Sequence, residues 1–444
     1  METESIYRAI AKARDAVIPE RLQSWLLTSA GIWTGFLLIH FGYLAYMLVF
    51  VFQGQAFSDT NIYRDWAAAD FPLEVQPSPW VYPILGLLPI WLSGLLGPGP
   101  FLALWVLLTA ALNALALGVL TRWGKSLPGI RAGWWWLSFI AIMGMLGFAR
   151  LDGITAPIVL IGLAFGVASP LAASLILSVA TWMKIWPAAV LLPLFAVVRD
   201  RWKVALGGIL ITAGVTLTAL AMGVAPRLLN FLTTQGSRGM QLEATFTTPW
   251  LWMSVLNIGG ARMYMNTEIN SMQVDGPGST VASALMQPLF IVVALAVAAL
   301  IFWVLHQRHR SFDMNDPAAL AVDRTDLLLL GSLAMVSAFI VFNKVGSPQF
   351  MVWLGPVVAL GLAKDWRQWR FPTLMLTGIA VTTYFIYPLF YDALSHYNPL
   401  MAFVLTVRNA LLVILFIWSA KRLIDSSRAV HAADSESQEV IESR

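Results

Sequence analysis

From Leu26 to Phe52 the chain carries no Asp, Glu, Lys or Arg. A membrane-spanning helix needs only about 20 apolar residues, and the run is too long for the apolar part of a cleavable signal peptide. It therefore predicts a retained first helix. Runs of the same kind recur, and spans are expected near 24–52, 100–121, 132–149, 153–169, 171–186, 187–198, 204–224, 284–305, 325–343, 348–363, 372–390 and 399–420. Composition agrees. The chain is 58% hydrophobic and 12% charged, against about 25% charged for a soluble domain, and could not cover its own surface in water. Lipid requires backbone groups to be satisfied within the chain, which leaves helices as the simplest spanning element here. The expectation is an all-α polytopic membrane protein with about twelve transmembrane helices. Its membrane body is 24–423, flanked by a cytoplasmic N-terminal segment 1–23 and a polar, disordered cytoplasmic tail 424–444.

Charge orients this arrangement. The stretch Tyr82 to Gly97 could cross the membrane or lie along its surface. If it lies on the surface, the basic clusters at 1–23, 122–131, 199–203, 308–324, 364–370 and 421–444 fall on one side, and most of the 28 Lys and Arg residues with them. This is the asymmetry of the positive-inside rule. Pro83, Pro89, Pro98 and Pro100 also suit a broken surface segment. Both termini are then cytoplasmic, and two long loops, 53–99 and 225–283, are extracytoplasmic.

Some function classes are excluded. The basic residues form no stripe with interleaved aromatics, so nucleic acid is not an expected partner. The chain has no Cys, which removes disulfides and thiol chemistry. It has no phosphate-cradling loop or dinucleotide fingerprint and no His-Glu-x-x-His helix. No cofactor is expected, no cluster of metal ligands stands out, and metal dependence is left open.

The expected outer face collects polar residues. Asp59 follows the first helix, and Asp152 lies where the third gives way to the fourth. Carboxylates there could deprotonate and orient an acceptor hydroxyl; Asp65 and Asp70 read as structural. Cations on that face are few. Lys184 ends a short helix, Lys344 lies between two helices, and Arg238 is in the large loop. Arg408 lies nine residues into the last helix, roughly 13 Å along its axis. Arginine at such depth faces the interior and needs an anionic partner, which a phosphate or an acid such as Asp392 could supply. Glu243 could hold an acceptor sugar or pair with Arg238, and His396 could bond a ligand or sit solvated at the surface.

These residues form a set that resembles a known family. Asp59-Thr-Asn-Ile-Tyr63-Arg-Asp-Trp-Ala67 resembles the D-x-x-V/I-Y-x-x-x-A element after the first helix of family 87 glycosyltransferases, which have the C-type fold and use polyprenyl-phosphate sugars. Tyr82-Pro83 with Leu87, Leu88 and Pro89 resembles the family's Tyr-Pro-Pro element. Lys184 with Pro187 resembles its Lys-x-x-Pro element, and Ser347-Pro348-Gln349-Phe350 with Trp353, Leu354 and Pro356 its late Ser-Pro-Gln-Tyr element. The likeness spans roughly 25–420. Ile84 replaces the second Pro of Tyr-Pro-Pro, Gln349 and Phe350 stand where some members carry histidines, and Arg-Leu-Asp-Gly-Ile-Thr replaces a Gly-Gln-x-Asn element.

The resemblance implies an inverting transfer on the outer face, with Asp59 as general base. Lys184, Lys344 and Arg408, on position and charge more than on motif, become candidates for the donor's phosphate, and Tyr63 and Tyr82 join them for the lipid-linked sugar. Asp152, Arg238, Glu243, Gln349 and His396 become candidates for the acceptor. Implied partners are membrane lipid, a polyprenyl-phosphate sugar, and a glycolipid or polysaccharide acceptor of the cell envelope. Mannose is the first expectation for the sugar and arabinofuranose the second, on what family members commonly use. A lipid-linked-sugar flippase or transporter is the alternative, since Arg408 and the Pro-interrupted helices suit one. A non-catalytic membrane scaffold is a third class, and would not require Asp59 and the cations to converge.

Overall fold

The computed structural model describes residues 17–53, 57–69, 80, 82–225, 228–229, 239–267, 271–311 and 317–442, with residues 12 and 15. The side chains of 308–311, 317–323 and 427–442 are excepted. The described chain is mostly helix. After a short α1 (Glu20–Leu26), α2 (Ser29–Phe52) begins where the Thr28 side chain accepts the Gly31 amide, an N-cap that satisfies one of the helix's free donors. Then come α3 (Thr60–Ala68), a 3-10 turn at Ile84–Gly86 leading into α4 (Leu87–Gly94), α5 (Phe101–Thr121), α6 (Leu127–Met143), the single turn α7 (Met145–Phe148) and α8 (Leu151–Phe165). The order continues with α9 (Pro170–Met183), α10 (Ala188–Val197), α11 (Arg201–Ala221) and α12 (Thr248–Val255). A hairpin of β1 (Arg262–Asn266) and β2 (Ser271–Asp275) precedes α13 (Ser279–Ser311), α14 (Pro317–Val341), a 3-10 segment at Pro348–Leu354, α15 (Gly355–Lys364), α16 (Trp366–Tyr384), α17 (Tyr391–Ser395) and α18 (Pro399–Glu442).

Among the described residues, seven segments are long and apolar enough to cross a membrane: Ser29–Phe52, Phe101–Thr121, Arg201–Ala221, Ser279–Gln307, Arg324–Val341, Trp366–Leu389 and Pro399–Ser426. The chain is thus a polytopic membrane protein. The other expected spans coincide with shorter helices, α6, α8, α9, α10 and α15. The stretch Ile84–Gly94 would reach about 16 Å as a helix, well short of a bilayer core of about 30 Å.

Burial separates centre from rim. In α14, 83% of the apolar window is inside the protein; in α2 the figure is 28%. Helix α14 therefore runs through the middle of the bundle, packed on α10 and α18, while α2 presents much of its surface outward. Helix α9 is sandwiched between α8 and α11. The main core joins Trp136, Phe139, Leu330, Trp353 and Leu412 from widely separated parts of the chain.

Two expectations change. The fold is not purely helical, because the long loop 225–283 contains the β1–β2 hairpin. Met263 on β1 and Met272 and Val274 on β2 point into an apolar cluster with Leu242, Leu251 and Leu405, while Tyr264 and Met265 are exposed. Such an inward face, set by the two-residue repeat of a strand, is buried by pairing strands. The second change is at the C-terminus. The backbone of α18 continues as helix across 424–442, the segment expected to be a disordered tail.

Candidate active site

Proline sets the first element of the site. The residue before a proline is pushed out of the helical region, and α9 stops at Met183, short of Trp186-Pro187. Lys184 is left in extended conformation, φ −154° and ψ 137°. Its ammonium meets Asp152 Oδ2 at 2.5 Å and lies over the Tyr82 ring, 5.1 Å from its centre. Asp152 sits in the first turn of α8 and is fully buried. Its other oxygen accepts from Trp353 Nε1 at 2.5 Å. A buried ion pair holds only when the remaining lone pairs are also satisfied, and Trp353 supplies that bond. Trp353 is fixed in turn by stacking on Trp186 and Phe350.

Lys344 comes from the break after α14. Asn343 Oδ1 accepts the Val345 amide at 2.9 Å, which turns the chain. Gln241 then clamps this loop. Its amide donates to the Lys344 carbonyl at 3.0 Å, and its Oε1 accepts from Gly346 N at 3.2 Å and Ser347 Oγ at 3.0 Å. The approach is close enough to require glycine, since a Cβ at Gly346 would lie 2.3 Å from Ala244 Cα. Burial lowers the Lys344 pKa.

Lys184 and Lys344 line one cavity of about 300 Å³. Tyr82, Asn343, Ser347, Gln349 and Gln287 add polar groups to its wall; Met286, Phe290, Phe339, Phe342 and Phe350 make the rest largely apolar. Of the residues singled out in the sequence, Tyr82, Lys184, Lys344 and Gln349 are thus brought together.

A second ion pair lies beside this group. Arg150 Nη1 meets Asp59 Oδ2 at 2.7 Å, and its Nε donates to Ser58 Oγ at 3.0 Å. Burial alone would lower the Arg150 pKa, but the Asp59 carboxylate outweighs it and the net shift is upward. Asp59 precedes α3 without capping it, and its Oδ1 has no hydrogen-bond partner among the described residues. Tyr63 links the two pairs. It is buried, and Tyr82, Asp59, Arg150 and Asp152 are all close enough to act on its hydroxyl. Burial first, then those neighbouring oxygens, raise its pKa well above the usual value. Arg150 was not singled out in the sequence; one cation in a loop looks like any other until its partner is known.

The remaining residues lie elsewhere. Arg408 is buried and donates to the Glu243 main-chain carbonyl and to Asn409 Oδ1, the latter at 2.8 Å from Nη2. The nearby Glu243 carboxylate supplies it with an opposite charge, so the acid near Arg408 is Glu243, not Asp392. Glu243 is also buried, and Tyr391 donates to its Oε1 at 2.7 Å. Burial raises the Glu243 pKa. This group joins α18 to the base of the hairpin unit and does not line the cavity. His396 is exposed beside Asp392, 3.4 Å away. Arg238 lies outside the described residues. Among the described residues no cluster of three or more His, Asp or Glu could hold a metal ion.

A model of glycosyltransferase family 87 matches residues 80–332, more than half of the chain. The chain belongs to glycosyltransferase family 87. It is therefore a membrane glycosyltransferase. No curated protein and no solved structure matches it. Tyr82, Asp152, Lys184, Arg238 and Glu243 fall inside the matched residues; Asp59, Tyr63, Lys344, Gln349, His396 and Arg408 fall outside.

Proposed function

We propose that this family 87 enzyme transfers a sugar, with mannose first and arabinofuranose second, from a polyprenyl-phosphate donor to a glycolipid or polysaccharide of the cell envelope. The reaction inverts the anomeric centre and takes place on the extracytoplasmic face. The observation that carries this reading is a cavity lined both by Lys184 and Lys344 and by aromatic and aliphatic groups. An anionic headgroup on an apolar tail needs that combination. A phosphate draws ammonium groups, and removal from water strengthens the attraction. The lipid favours an apolar wall.

In this mechanism Asp59 Oδ1 takes the proton of an acceptor hydroxyl. The acceptor oxygen forms a bond to the anomeric carbon from the face opposite the phosphate. The bond between that carbon and the phosphate oxygen breaks, and its electron pair leaves with the polyprenyl phosphate. Lys184 and Lys344 stabilise the charge that grows on the leaving phosphate, the kind of contribution that is usually the largest in such a step. Arg150 holds Asp59 in orientation through Oδ2, which leaves Oδ1 for the proton. Asp152 fixes Lys184 in place. The hairpin unit, through Gln241, fixes Lys344.

The experiment is transfer by the purified full chain from radiolabelled polyprenyl-phosphate mannose, and separately arabinofuranose, to envelope glycolipids extracted from a strain lacking the enzyme. Label should enter one glycolipid or polysaccharide from one of the two donors. No transfer from either, with transfer from a nucleotide sugar, would overturn the donor assignment.

A further inference from the structure

Carboxamides are expensive to place in a largely apolar wall, because a buried polar group without a partner carries its full desolvation cost. Gln349 is 7% exposed; its side chain makes no hydrogen bond among the described residues, and its amide is not among the sealed, unpartnered polar groups, so it stays accessible from the cavity it lines. Two more carboxamides share that cavity. Asn343 uses Oδ1 for the Val345 amide, which leaves its Nδ2 unspent. Gln287 is an exposed polar residue in the apolar helix α13, and its side chain also makes no hydrogen bond.

We propose that Gln349, Asn343 and Gln287 form the subsite that reads the hydroxyl groups of the donor's sugar. The proposal rests on the donor reading above and deepens it. The two ammonium groups can only donate hydrogen bonds. A sugar hydroxyl donates as well as accepts, so a site holding one needs acceptors. The carboxamide oxygens of Gln349 and Gln287 are acceptors not already engaged, and the three NH₂ groups are matching donors. Position agrees with chemistry. The sugar is covalently joined to the phosphate; Asn343 precedes Lys344 on the clamped loop, and Gln349 follows at the start of the 3-10 segment Pro348–Leu354. A bare lipid phosphate could use only the NH₂ groups of these amides; a phosphate carrying a polyhydroxylated ring would use their oxygens as well. Gln349 thereby moves from the acceptor side, where the sequence suggested it, to the donor side.

The test is competition binding to the purified full chain in lipid nanodiscs. The probes are bare polyprenyl phosphate and the same lipid phosphate carrying mannose or arabinofuranose. The wild type should prefer one sugar-bearing lipid over the bare one. Gln349→Met should cut that preference by about 10-fold or more, since a site built to bond hydroxyls discriminates steeply. Binding of the bare lipid should not change, which also shows that the variant is folded. Gln287→Met, at an exposed position, should lower the same preference by a smaller factor. An unchanged preference in both variants, or no preference for either sugar in the wild type, would overturn the subsite. Lys344→Met tests the underlying reading separately. If it leaves bare-lipid binding intact, the phosphate assignment fails whatever the carboxamide variants do.

Discussion

Two acid–base pairs stand side by side in this protein and are built for opposite ends. Asp152 and Lys184 are buried, and both carboxylate oxygens are engaged, by Lys184 and by Trp353. Asp59 and Arg150 are partly exposed, and one oxygen of Asp59 is left over. Coulomb attraction alone does not distinguish the pairs; access does. A general base must reach its proton within hydrogen-bond distance, which a saturated, fully buried carboxylate cannot do. The buried pair is suited to holding a cation at the cavity wall, the partly exposed pair to presenting a base.

The contrast can be broken most severely at the buried pair. Asp152→Ala should destabilise the protein by about 3–5 kcal/mol, because it strands Lys184 in a buried position. The loss would appear as a lower unfolding midpoint in detergent, and the double variant Asp152→Ala with Lys184→Met should recover part of it. An unchanged midpoint in the single variant would mean that the pair is not buried. At the partly exposed pair the effect should fall on rate. Arg150→Met should lower kcat about 100-fold, the scale of a small misplacement of a catalytic group, with donor KM nearly unchanged and stability little affected. A loss confined to KM would move Arg150 to the donor side.

A milder prediction concerns Lys344. Its pKa is lowered by burial, so in the free enzyme the ammonium deprotonates below the usual lysine value of about 10.4. Donor affinity should therefore fall as pH rises through that lowered value. Lys344→Arg, which stays charged, should abolish this alkaline fall, and its persistence would assign it to another group. The smallest effect belongs to His396→Ala. His396 is exposed and does not line the cavity, and the change in stability should stay within about 0.5 kcal/mol, with transfer rate unaltered.

Much of this was legible in the sequence, for identifiable reasons. Long uncharged runs disclosed the helices because lipid tolerates little else. Pro187 disclosed the break that sets Lys184, since the residue before proline is displaced from the helix. The hairpin was not foreseen, as Arg-Met-Tyr-Met-Asn and Ser-Met-Gln-Val-Asp are short and carry no turn signature strong enough to stand out in a long loop. Arg408 shows another limit. Its depth announced a buried partner, but the acid beside it is Glu243, from 165 residues earlier in the chain, which also accepts through its main-chain carbonyl, and neither contact has a local sequence signal. Pairings such as Asp59 with Arg150 and Asp152 with Trp353 depend on helix packing across long separations, and no local pattern encodes them.

The central claim is that Asp59 is the base and the neighbouring cavity holds the donor. The most direct measurement compares Asp59→Asn with the wild type, both inserted in membranes to the same level, for donor binding and for sugar transfer. The predicted result is transfer reduced by about 10²–10⁴-fold with donor binding retained. Normal transfer by the variant would contradict it.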